Sequence, residues 1–181
     1  MTLMIKRLRQ YRHANRGISA VEFALIAPLM LLIYFACIEL SFMMILDRKV
    51  TSSTAALGDL VARASTISDD DLDDIFEATR MIFQPNPIDD ARMRISSIYD
   101  DDGVYKVAWS DAQHLAPYAE DTVMTVPDDI IPENGSVILA EIEYDYESTL
   151  GYLFTTKKTL SDQFYLRPRR TDHVARIRDD D

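Results

Sequence analysis

One cysteine, one tryptophan, five glycines and three histidines among 181 residues set the first limits. The lone cysteine, Cys37, excludes an intrachain disulfide, so a folded domain must stand on its apolar core. His13, His114 and His173 are scattered and have no ligand spacing between them. A glycine-rich phosphate loop is missing, as is any Ser/His/Asp order or nucleophile elbow. Neither enzymatic activity nor a metal or cofactor is therefore expected. Basic charge is scarce as well: 19 Lys and Arg stand against 30 Asp and Glu, a net charge of −11. That balance disfavours nucleic acid, because phosphate contacts supply most of such affinity.

The charge is also uneven. Residues 1–17 hold Lys6, Arg7, Arg9, Arg12 and Arg16 and no acid, a balance of +5. Residues 18–46 hold only Glu22 and Glu39. In residues 47–181 the remaining 14 bases face 28 acids. A basic leader thus lies at one end of an apolar run and an acidic domain at the other.

The run Phe23–Leu46 contains one charge, Glu39. As a helix its 24 residues would be about 36 Å long, enough to cross a hydrocarbon core of about 30 Å. A backbone in lipid must satisfy its own hydrogen bonds, so a helix is predicted. The positive-inside rule places residues 1–17 in the cytoplasm and residues 47–181 beyond the membrane. A cleaved secretory signal fits less well, since the run is long and has no A-x-A-like exit. Tyr34-Phe35-Ala36-Cys37 lacks the leucine expected before a lipoprotein cysteine.

At the start of the run the sequence reads Asn15-Arg16-Gly17-Ile18-Ser19-Ala20-Val21-Glu22-Phe23. A glycine follows a basic leader, and five residues later a lone carboxylate stands at the mouth of the helix. This resembles a type IV prepilin junction. The stretch RGISAVEFALIAPLMLLIYFACIEL resembles the TadE-like pseudopilins of the tight-adherence (Tad/Flp) pilus system. The segments LGDLVARAS, VAWSDA and EIEYDY point the same way more loosely.

The resemblance implies a bacterial inner-membrane subunit of pilus assembly and secretion, cut by a prepilin peptidase after Gly17. Ile18 would become the new N-terminus of a 164-residue chain. Glu22 would pair with a neighbouring subunit's terminal ammonium, with Phe23 beside it in the assembly contact. The partners implied are the peptidase, other pilins or pseudopilins, and the Tad assembly platform. Glu39 is a candidate intramembrane polar contact; an acid reaching out toward the interface is the other reading. The competing class is an uncleaved single-pass protein whose outer domain binds a partner.

Beyond the run, Val50, Leu57, Leu60, Val61 and Ala64 extend a helical stripe from Asp47. Ser68 is a candidate N-cap for a second helix. Leu72, Ile75, Phe76, Thr79, Ile82 and Phe83 form its apolar face, and acids in the first turn suit its dipole. Pro85 and Pro87 should end it. Strands are predicted at 92–99, 105–109, 138–146 and 160–166, with turns at Asp102-Gly103 and Asn134-Gly135. Arg167, Arg169, Arg170, Arg176 and Arg178 read as a solvated, charged tail. The fold class is α+β: a transmembrane helix with a helical extension, a second helix and an antiparallel sheet of about four strands. The domains are a leader (1–17), a membrane helix (18–46) and a periplasmic domain (47–181). The layout is similar to that of a pilin.

Overall fold

The computed structural model describes residues 16–87, 89, 91–127, 130–132, 135–148, 151 and 157–178. The first helix, α1 (Arg16–Ala62), has 47 residues, about 70 Å of helix. The apolar run and the amphipathic stretch after it form one continuous element, with Pro28 inside it. Its two halves differ in cover. From Ile18 to Tyr34 every side chain except Ala27 is exposed. From Glu39 onward a stripe is buried at Glu39, Leu46, Val50, Thr54, Leu57 and Val61. Steps of three, four or seven residues keep one face of a helix turned to a core.

A short strand, β1 (Thr66–Ile67), leads into α2 (Asp69–Met81). Ser68 caps it as the sequence predicts. Its hydroxyl accepts the Asp71 N–H at 3.2 Å, and the Asp71 carboxylate accepts the Ser68 N–H at 3.0 Å. This reciprocal box satisfies two donors that a helix start leaves open. The Ser68 backbone N–H, aided by its hydroxyl, holds Asp71 below the usual carboxylate range. Leu72, Phe76 and Thr79 are buried. Regular helix stops at Met81, before the prolines, and the chain reaches Pro85 through turns. A residue preceding proline is disfavoured in helical geometry, so the last turn loosens ahead of it.

The main sheet contains β2 (Ala91–Asp101), β3 (Val104–Gln113), β4 (Ser136–Tyr146) and β5 (Lys158–Leu166), in the order β3-β2-β4-β5 and antiparallel throughout. The β2–β3 turn uses Asp102 at φ 51° and Gly103 at φ 87°. Two successive left-handed residues match the twist of a tight hairpin, which explains the Asp-Gly pair. Asn134 of the other expected turn lies outside the described residues, as do the leader residues 1–15 and Tyr152. The Gly135 N–H closes a turn on the Pro132 carbonyl at 2.9 Å.

One sheet face, with Met93, Ile95, Trp109, Ile138, Ala140, Ile142 and Tyr144, packs against α1 and α2. The other carries a smaller cluster of Ile98, Val137 and Leu139 with Val126 and Ile131. The last two come from the connection between β3 and β4. Both of those strands flank β2, so their connection must cross the sheet, and it covers this face.

Next to that cluster the polar residues of β2 and β4 pair across the strands. Arg92 is opposite Glu143 and Arg94 is opposite Glu141, with N···O distances of 3.0 and 2.7 Å. Arg92 also reaches Asp145 at 2.9 Å. The Arg94 guanidinium lies 3.8 Å from the centre of the Tyr118 ring, and the Tyr118 hydroxyl donates to Glu141 at 3.2 Å. The hydrogen bond to Glu141 raises Arg94 above its ordinary value, and burial pushes the Tyr118 hydroxyl up. The Thr159 hydroxyl, at 2.8 Å, holds Asp145 down, with help from Arg92.

The C-terminal segment corrects the expectation of a solvated tail. Ala175–Arg176 form β6, which pairs in parallel with β1. The Arg169 N–H donates to the Ala62 carbonyl at 2.8 Å, capping the end of α1. The Trp109 indole donates to the Val174 carbonyl at 2.8 Å. The Arg176 side chain is 6% exposed and pairs with both Asp69 and Asp111. A run of arginines looks the same in sequence whether it is solvated or held by carboxylates distant in the chain.

Candidate functional site

The residues singled out by sequence all lie on α1. Gly17 and Ile18 are in its first turn. The first N–H groups of a helix have no partner within it, so this turn is the cheapest part to unwind into the extended form a peptidase cleaves. Glycine adds to that ease, because it loses the most freedom in a helix. Ile18 and Glu22 are four residues apart on one helical face, roughly 6 Å along the axis. Glu22 is exposed, and Phe23 beside it is 71% exposed.

Between Ile18 and Tyr34 the domain covers almost nothing. Leu25, Ile26, Leu29, Met30, Leu31, Leu32 and Ile33 all present large apolar surfaces. In water this stretch would be a severe liability, because single domains rarely show so large an apolar surface. A helix of this length and composition is long and apolar enough to cross a membrane, with a mean hydropathy of 2.4 over its most apolar 18-residue window. Glu22 is the one charge in this bare stretch.

Glu39 stands apart from this group. Its side chain is fully buried by the chain itself and opens the stripe that continues through Leu46 and Val50. The structure thus brings Ile18, Glu22 and Phe23 onto the bare half of α1, whereas Glu39 belongs to the covered half. The stripe begins seven residues before Leu46, inside the apolar run.

Sequence reading missed a groove of about 430 Å³ where α1 meets the base of the domain. Phe42, Ile45, Leu46, residues 85–87 and residues 144–147 line it. It is assembled from three distant segments, and nothing in any one of them shows that the three meet. The nearest signal is the pair of prolines, which marks a rigid segment without saying where it packs.

A family model described as TadE-like protein matches residues 17–57. The match covers Gly17, Ile18, Glu22, Phe23, Glu39 and most of α1. It supports a membrane protein connected with the Tad pilus system, as expected from the junction. No match was found among curated proteins or among solved structures.

Proposed function

We propose that this chain is a minor pilin-like (pseudopilin) subunit for Tad-type pilus assembly, processed by a prepilin peptidase after Gly17. The observation that carries this reading is the TadE-like match over residues 17–57, which takes in the whole bare apolar stretch of α1 and continues along its covered part. The bare half anchors the chain in the inner membrane, with its N-terminus in the cytoplasm and the sheet domain in the periplasm. The charge asymmetry across the helix supports that orientation.

Cleavage at Gly17-Ile18 frees an ammonium at Ile18 near the lipid boundary. A carboxylate in that region is costly unless it is paired. Glu22 provides the partner for a neighbouring subunit's ammonium, and Phe23 packs beside it. The chain is then the peptidase's substrate and a building part, with no chemistry of its own.

Gly17→Leu tests the reading. A bulky side chain should block the close approach that glycine permits and leave the leader attached. The uncut chain should be about 2 kDa heavier, given 20.7 kDa over 181 residues, and should still insert in the membrane. Equal masses for wild type and Gly17→Leu, in cells with an active prepilin peptidase, would sink the processing step and favour an uncleaved binding protein.

A further inference from the structure

The groove at the base of the domain has a position fixed by the helix. With Glu22 at the inner boundary of the hydrocarbon, 20 residues of helix span about 30 Å. Phe42 then lies at the outer boundary, and Ile45 and Leu46 at headgroup level. These three residues line the groove together with Pro85, Pro87 and Tyr146. The base of the domain must therefore share their depth.

The groove continues the lipid-facing surface of α1, since Phe42 and Ile45 are both 56% exposed. Its charged lining is Asp145, which is paired with Arg92, and Glu147, and a base stands beside the latter. Glu147 lines it and forms a loose pair with Lys157 at 3.5 Å, with both side chains more than half exposed. Exposed pairs of this kind contribute little by themselves, so exchanging partners with a ligand costs little.

We infer that this groove seats an outer-leaflet phospholipid with a zwitterionic, amine-bearing head. One acyl chain lies along Phe42 and Ile45, the phosphate meets Lys157, and the ammonium meets Glu147. The inference rests on the membrane-anchored reading above.

The test uses the full chain with Cys37→Ser and single cysteines at Leu31→Cys, Asn86→Cys or Val104→Cys, each carrying a fluorophore. The chains are placed in phosphatidylethanolamine–phosphatidylglycerol vesicles doped with nitroxide lipids. The label at residue 86 should lose most of its emission to a headgroup nitroxide. The label at 31 should respond to an acyl-chain nitroxide, and the label at 104 to neither. Quenching at 31 without quenching at 86 would overturn the groove proposal and leave the anchor standing. Loss of quenching at 31 as well would bring down the anchored reading itself. For the headgroup chemistry, mass spectrometry counts phosphatidylethanolamine retained on the purified chain. Glu147→Gln with Lys157→Gln should reduce it several-fold relative to phosphatidylglycerol, and unchanged retention would refute the assigned head.

Discussion

Glu22 is exposed one helical turn beyond Ile18, on a stretch otherwise made of apolar and small side chains. Some two dozen residues drive insertion, so Glu22→Val should leave membrane level and cleavage intact and should even ease insertion slightly. Pilus formation and co-purification with other pilins should fall sharply, because a buried ammonium left unpaired costs several kcal/mol. Wild-type piliation in that mutant would remove the role assigned to Glu22. Ser68 acts on stability through its cap on α2. Ser68→Ala should cost about 1 kcal/mol, read as a lower melting temperature of the detergent-solubilised chain. Asp71 and Asp145 also tie stability to pH. Both are held below the ordinary aspartate value of about 3.9, through Ser68 and Thr159 respectively. As pH falls, the unfolded chain takes up these protons first. The stability they contribute is therefore complete above about pH 4 and is lost as pH drops through their lowered values. Thr159→Val should flatten the acid limb of the melting profile, and an unchanged limb would deny Asp145 its share.

Between elements, the close contact of α1 with the sheet turns on Gly58. A methyl group there would meet Leu166 Cδ1 and lie 3.2 Å from Ala140 Cβ. Gly58→Val should cost about 1–3 kcal/mol through overpacking, despite removing a helix-weakening glycine. A variant at least as stable as wild type in thermal melts would mean that the helix and sheet are not held at this distance. Elements of this kind were legible in the sequence because their signals are local. The stripe from Val50, the Ser68 cap and the alternation of Ile138, Ala140, Ile142 and Tyr144 each lie within one short window. The likeness to TadE-like proteins around Gly17 and Glu22 was legible for the same reason. The strand order was not, because β4 pairs with β2 across the crossover rather than with its chain neighbour β3. The crossover also explains why Ile98, on the same strand face as Arg92 and Arg94, is buried in the second cluster. The acidic face of β4 showed in the sequence, but its partners Arg92 and Arg94 lie some fifty residues earlier. The base groove stayed invisible because no single segment makes it.

At the scale of the whole molecule, the C-terminal segment joins the end of α1, the start of α2 and β3. Arg176 links the start of α2 to β3 through Asp69 and Asp111, and Arg169 holds the end of α1. Arg176→Gln would leave two carboxylates facing each other in a partly buried space. A loss of about 2–4 kcal/mol is expected, toward the lower end for groups that keep some solvent, with earlier proteolysis after Leu166 as the readout. Melting and proteolysis like those of wild type would mark the segment as dispensable. That clasp has a mechanical counterpart in α1. Beyond Pro28 the helix runs to Ala62 without another proline, and its far end is fixed to the sheet, so the upper part of the bare half and the covered half form one beam. Long helices curve only gently unless something interrupts them. A tilt of about 10° in the lipid would swing a point 45 Å up the beam by roughly 8 Å, taking the helical rise as the length scale. The domain is therefore aimed from below like a boat by its tiller, and its bearing over the membrane is set by the lean of the anchor.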